Sequence, residues 1–281
     1  MTLGRVVVMG CGLIGGSIVK RLRERGGAAS LAAVDRAEVL AAAAPLLDEG
    51  AEPDTEAVTR LLARADLVVL AMPLDAIAAA LPQVLDRISP NAVVTDCGSV
   101  KRPVIARAVG HARRDRFVPA HPMAGRETGG FEMALPALFE GRRWYVVPEA
   151  GAVDARARVV ELIGALGAIA VEVDAEHHDR AMAYVSHAPH LIASALVDVA
   201  EVAGASANAG PGFEDMTRIA GGPPSIWCDI LAANHANVAQ ALDDVITQLV
   251  GMRDELAAHA DERGLQKSLS LLTRVRRIRG K

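Results

Sequence analysis

The chain is predicted to begin as an α/β doubly wound parallel sheet and to end as an all-α domain. Three observations carry that prediction. Short, uninterrupted apolar runs alternate with helical periodicity through the first part of the 281 residues, as buried parallel strands and their crossover helices require. The spacing Gly10-x-Gly12-x-x-Gly15 falls between the first apolar run and the first helical stretch. After Asp174 the strand signals stop and apolar residues recur at helical spacing.

Each element has its own signal. Residues 6–9 are continuously apolar, the mark of a strand buried on both faces. The glycine turn follows, then a helix over 15–25. Residues 31–34 form the next strand and end at Asp35; 67–71 and 92–95 form two more, with helical sequence between them. The run Phe117-Val118-Pro119 reads as a short strand ending at a ligand crevice, with the loop His121-Pro122-Met123-Ala124-Gly125-Arg126-Glu127 beyond it. Extended runs at 144–147 and 169–173 are separated by a helix near 154–166. Residues 176–202 read as one long helix that Pro189 should kink. The Gly- and Pro-rich stretch 207–224 reads as irregular, and 225–263 as a second long helix. These signals divide the chain into a dinucleotide-binding domain, 1–173, and a helical substrate and dimerisation domain, 174–281. Long apolar helix faces on a chain of this size predict a homodimer that buries them.

Composition excludes several classes. A net charge of −4 gives no reason to expect nucleic acid or a membrane surface. The basic tail with Arg276, Arg277, Arg279 and Lys281 reads as a solvated helix end. Cys11, Cys97 and Cys228 form no CxxC pair, which fits a reducing cytoplasm. No stretch of about twenty apolar residues is free of charge or breakers, so no membrane span is expected. A strand starts almost at once, which leaves no room for a signal peptide.

The glycine turn marks a Rossmann-type dinucleotide site. Gly10 permits the tight turn, Gly12 lets the backbone approach a pyrophosphate, and Gly15 lets the helix pack on the strand, with Leu13 and Ile14 between them. The free N–H groups of the helix N-terminus then face the phosphates. Asp35 closes the second strand, where a carboxylate accepts from a ribose diol and repels a 2′-phosphate. NAD is therefore favoured, while the neighbouring Arg36 keeps NADP as the alternative. Met72 and Pro73, just past a strand end, border the cofactor. In Asp96-Cys97-Gly98-Ser99-Val100-Lys101, Ser99 offers a hydroxyl to substrate or cofactor, or else caps a helix; Lys101 reads as solvated or ion-paired. A nucleotide fold without redox use, such as a methyltransferase, is the competing reading of the motif.

The substrate chemistry centres on histidines. His121 suits general-base work near neutral pH, although a lone histidine at a strand end is often structural. His187 and His190 lie three apart and share one helix face, with Ser186 beside them. Metal binding is the rival reading; it lacks the HExxH pattern and a third ligand, so no metal is expected. Arg218 stands before a Gly-Gly-Pro-Pro break, placed to grip a carboxylate bidentately or to pair with Asp215 or Glu214.

Taken together, GCGLIGGS at 10–17, DCGSVK at 96–101, HPMAGRE at 121–127, HHDRAMAYVSHAPH at 177–190 and FEDMTRIAGGPPSIWCDI at 213–230 span nearly the whole chain. In this order they resemble the prephenate and arogenate dehydrogenase family of tyrosine biosynthesis. The resemblance implies oxidative decarboxylation of a cyclohexadienol, with His121 deprotonating the ring hydroxyl and Ser99 hydrogen-bonded at the same oxygen. It further implies that Arg218 holds the ring carboxylate and that Ser186 and His190 face the substrate side chain. Glu127 would sit near the entrance, and Trp227 would reach into the pocket of a neighbouring subunit. Arg126 stands where the family often has Thr; such a cation would depress the His121 pKa if close and buried, or meet the side-chain carboxylate. Competing readings are a dehydrogenase of an amino-substituted prephenate analogue, a β-hydroxyacid dehydrogenase or imine reductase, and a non-catalytic dinucleotide sensor.

Overall fold

The computed structural model describes residues 2–126, 128–148, 151–258 and 265–280. Contacts divide the chain into two compact units, Met1–Asn234 and His235–Lys281.

The first unit is built on six parallel strands, β1 (Arg5–Met9), β2 (Ser30–Val34), β3 (Glu49–Ala51), β4 (Leu67–Leu70), β5 (Val93–Asp96) and β6 (Phe117–Val118). They lie in the order β3-β2-β1-β4-β5-β6. The strand order reverses between β1 and β4, so the chain leaves these strands in opposite directions and opens a crevice at their C-terminal ends. Helices α1 (Leu13–Arg25), α2 (Ala37–Ala43), α3 (Glu56–Arg64), α4 (Leu74–Arg87) and α5 (Arg102–Ala106) supply the connections. Leu67, Val68, Val69 and Leu70 are all fully buried, which explains why β4 reads as an unbroken apolar run.

A second sheet was not expected. The strands β7 (Ala120–Pro122), β8 (Arg143–Val146) and β9 (Ile169–Glu172) form it, with β7 antiparallel and β9 parallel to β8. Helix α6 (Val153–Ala165) joins β8 to β9. The extended runs near 144 and 169 therefore do not continue the first sheet. Pro119, between β6 and β7, lacks the N–H a continuing ladder would use, and the chain changes sheet there. The start of the expected loop is itself a strand: His121 pairs with Tyr145.

The segment expected as one long helix is interrupted. Helix α7 (Ala175–Met182) passes through a π-helical turn, Ala183–His187, into α8 (Ala188–Val202). Pro189 has no N–H and its ring crowds the carbonyl one turn earlier, so the helix widens just before it. The stretch expected to be irregular holds α9 (Pro211–Thr217) and a 3-10 turn, Arg218–Gly221. The expected second long helix is two: α10 (Pro224–Ala233) ends at Asn234, and α11 (His235–Ala258) follows. Residues Ile230, Trp227 and Ala233 of α10 pack against the same apolar cluster as α4, so α10 belongs to the first unit. The compact division by contacts falls after Asn234, whereas the boundary near 174 marks where the strand pattern gives way to helical spacing.

In the second unit α11 is followed by α12 (Gln266–Arg279). Glu255 caps α12, accepting from the N–H groups of Lys267 (2.9 Å) and Ser268 (2.8 Å) and from the Ser268 hydroxyl (2.6 Å). No helix among the described residues is long and apolar enough to cross a membrane.

The α1–β1 junction sets the position of the glycine turn. A methyl group on Gly15 would stand 1.9 Å from the Gly10 carbonyl oxygen and 2.9 Å from Val8 Cγ1. Gly15→Ala should therefore lower stability by about 2 kcal/mol or more, read as a fall in Tm by calorimetry.

Candidate active site

The glycine turn is held from the second strand. Asp35 accepts from the Cys11 N–H (2.5 Å) through Oδ2 and from the Arg36 N–H (2.8 Å) through Oδ1. Gly10 has φ of +86°, and a Cβ there would strike the Ala71 carbonyl and Met72. Met72 therefore borders the turn, and Pro73 caps α4 nearby. A Cβ on Gly12 would meet nothing within 4 Å, so the space over the turn is open. Leu13 begins α1, while Ile14 packs against the sheet core. The Arg36 guanidinium is drawn to Glu38 (3.0 Å) on α2. Burial, then the Asp35 carboxylate, pushes the Cys11 thiol up to about 12, so it is no nucleophile at neutral pH.

The end of β5 carries a buried charge pair. Lys101 and Asp96 are both fully buried and ion-paired through Nζ and Oδ2. The Lys101 ammonium also donates to the Ala120 carbonyl (2.6 Å), and Asp96 accepts from the N–H groups of Ala120 (3.1 Å) and Gly98 (2.9 Å). Ser99, partly buried, lies on this same turn, and its hydroxyl makes no hydrogen bond among the described residues.

His121 follows Ala120 directly and is partly buried. Its Nδ1 lies 2.9 Å from His178 Nε2, and His178 Nδ1 lies 2.8 Å from Asp179 Oδ1. Asp179 also accepts from the N–H groups of Lys101 (2.7 Å) and Arg102 (2.9 Å). Asn234 donates to the Asp179 carbonyl (2.7 Å) and reaches His187 Nδ1 (3.2 Å). The His187 ring stands edge-on to Trp227 at 6.3 Å between centroids, and His190 stacks on Trp227 at 3.6 Å. One connected network thus joins the HPMAG segment to the SHAPH segment. Trp227 thus sits against two histidines of its own chain. The π turn carries the partly buried Ser186 beside His187.

Of the other expected site residues, Arg218 opens the 3-10 turn whose Ile219 backbone hydrogen-bonds His190. Arg218 is exposed in the turn after α9. Arg126 is exposed, and Glu127 lies outside the described residues. The His121 pKa is held well below 6.5 by burial first, then by His178, Lys101 and His187. The cation that acts on His121 is therefore Lys101, while Arg126 is exposed. Burial also lowers His178 and His190, and takes His187 down to about 4. Sequence reasoning missed His178, Asp179 and the buried state of Lys101; the only signal was the adjacent His-Asp pair at 178–179. Among the described residues no group of three His, Cys, Asp or Glu side chains could hold a metal ion.

Two outcomes follow for stability. Lys101→Met leaves the Asp96 carboxylate buried and unpaired and should cost about 3–5 kcal/mol in urea unfolding. The lowered histidines make the unfolded chain bind more protons than the folded one, so stability falls as pH drops below about 6.5. His187 alone should remove about 1.5 kcal/mol between pH 6.5 and 5. Chemical denaturation of His187→Asn at the two pH values should show that smaller loss.

Comparison with known proteins agrees with this architecture. The description "Prephenate dehydrogenase, nucleotide-binding domain" matches residues 18–171, beginning just past the glycine turn. "Prephenate dehydrogenase, dimerization domain" matches residues 174–271. A cyclohexadienyl dehydrogenase of Zymomonas mobilis is 28% identical over 90% of this chain and 88% of its own. The crystal structure of prephenate dehydrogenase from A. aeolicus, in complex with hydroxyphenyl propionate and NAD+, superposes with a TM-score of 0.86 at 28% identity. That match covers 100% of this chain and 99% of the other. The Synechocystis arogenate dehydrogenase gives a TM-score of 0.77 at 26% identity, covering 97% and 98%. With this fold, this glycine turn and these matches along its length, the chain belongs to the prephenate dehydrogenase family.

Proposed function

We propose that the chain oxidatively decarboxylates prephenate, arogenate or both, with NAD as the acceptor. The carrying observation is the setting of His121. It is a partly buried imidazole with one nitrogen engaged by His178, and no hydrogen bond among the described residues engages its Nε2. Its lowered pKa keeps it neutral, and so able to accept a proton, at cytoplasmic pH. The relatives named prephenate, cyclohexadienyl and arogenate dehydrogenases support the substrate class.

The residues present fit a dinucleotide. Open space over Gly12 and the Asp35 carboxylate at the end of β2 are what a pyrophosphate and an adenosine ribose require. Gly10, Gly12, Leu13, Ile14, Gly15 and Asp35 would hold it, with Met72 and Pro73 alongside. The Arg36–Glu38 pair turns the nearest guanidinium toward a carboxylate, which supports NAD over NADP. When bound, the oxidised nicotinamide supplies a hydride acceptor. His121 Nε2 takes the proton of the ring hydroxyl, and the Ser99 hydroxyl hydrogen-bonds the same oxygen. Arg218 grips the ring carboxylate that departs as carbon dioxide. Ser186, His187, His190 and Trp227 wall the side-chain end, where Arg126 can meet a carboxylate.

The same reading assigns 1–173 to dinucleotide binding and 174–281 to substrate binding and dimerisation. Exposed Ile246, Leu249 and Leu256 on α11, with Leu269, Leu272 and Ile278 on α12, support a homodimer that covers them. Three free cysteines support a reducing, cytoplasmic setting.

Purified protein should reduce NAD when given prephenate or arogenate, followed by the absorbance of the reduced cofactor. Failure with both, and with both NAD and NADP, sinks the reading. His121→Asn should lower kcat by about 10²–10⁴ while NAD binding, measured by calorimetry, stays within a few-fold of wild type.

A further inference from the structure

We infer that His178 and Asp179 are positioning residues that preset His121 to accept a proton at Nε2; the inference rests on the base role proposed above. The argument is one of donors and acceptors. Asp179 Oδ1 and Oδ2 accept from the Lys101 and Arg102 N–H groups, so the carboxylate is fixed by two backbone donors and turned toward α5. A carboxylate only accepts, so the His178 nitrogen 2.8 Å from it, Nδ1, carries the proton. The neutral His178 ring then has a lone pair on Nε2, which faces His121 Nδ1 at 2.9 Å. That contact needs a donor, and only His121 Nδ1–H can supply it. The His121 tautomer assigned in this way from its partners leaves the lone pair on Nε2.

The geometry around the pair allows little else. His178 and Asp179 are both about 1% exposed. The His178 ring meets His121 edge-on at 5.1 Å and Tyr145 edge-on at 5.6 Å, so two elements of the second sheet block its rotation. Asn234 holds the Asp179 carbonyl from α10. The titratable and charged groups around His121 are His178 and Asp179 on α7 and His187 in the π turn. Lys101 with Asp96 lies between β5 and α5, and Tyr145 is its partner on β8. Of these, only His178 hydrogen-bonds the imidazole.

The chain of donors can be rebuilt or broken by substitution. In His178→Gln the amide N–H can donate to Asp179 while the amide oxygen accepts from His121 Nδ1–H, so the polarity survives. His178→Leu removes it. Asp179→Ala removes the acceptor that fixes the proton on His178 Nδ1. Expected results are kcat within about tenfold of wild type for His178→Gln, and losses of about 10²–10⁴ for His178→Leu and Asp179→Ala. KM and NAD binding should change by less than about threefold, and the acid limb of the pH profile should move only in the last two. Wild-type kcat and an unmoved profile in His178→Leu or Asp179→Ala would overturn the inference. Nitrogen-15 NMR of the histidine rings in the wild-type protein gives an answer independent of turnover and of mutant folding. It should find the neutral His121 proton on Nδ1; a proton on Nε2 overturns the inference even if the enzyme is active. An inactive wild type with the expected tautomers would instead count against the function proposed above.

Discussion

The buried pair of Asp96 and Lys101 is the constraint on which the site depends. Asp96 ends β5 of the large sheet, while Ala120 begins β7 of the small one. Both members of the pair bond the main chain of Ala120, one to its N–H and one to its carbonyl. A charge pair with no exposed surface is costly to form, and it is retained only with good geometry and further hydrogen bonds. Here the further bonds are the backbone of the residue just before His121. Whatever displaces Ala120 disturbs the pair, so His121 is held at a fixed place relative to the strand ends of the cofactor crevice.

A second carboxylate does the same for the helices. Asp179 binds two backbone N–H groups at the start of α5 and one imidazole on its own helix. It ties α7 to the turn that carries Ser99 and Lys101. The π turn then advances the next helix so that His187 and His190 both reach Trp227. Two carboxylates therefore organise two halves of one site, and each acts mainly through backbone groups. The electrostatic result is a cluster of histidines kept neutral by burial, with a fully compensated ammonium close by.

Much of the fold was legible because strands buried on both faces must be apolar throughout. Residues 6–9 and 67–70 carry that mark, and the glycine spacing fixes the first turn by sterics alone. The short β3 and two-residue β6 are too brief to give a periodicity. The second sheet escaped detection because its strands look like any others; partner and direction are set by contacts between residues 120–122, 143–146 and 169–172, distant in sequence. Helix breaks at Pro189 and Asn234 had different visibility. Proline announces itself through its missing donor, whereas Asn234 is buried in bonds to residues far along the chain.

By itself the sequence determined the dinucleotide turn, the helical C-terminal part and His121 as the candidate base, because each rests on local sterics or on residue chemistry. Only the tertiary structure decided which charges surround that base. Lys101 looks like a surface lysine and Arg126 like a neighbour of His121 in sequence, yet burial reverses their importance. His178 and Asp179 lie more than fifty residues from His121, and their hydrogen bonds exist only once β7 and α7 are packed together. Direction of proton acceptance is a property of that network, and no single residue in the chain carries it.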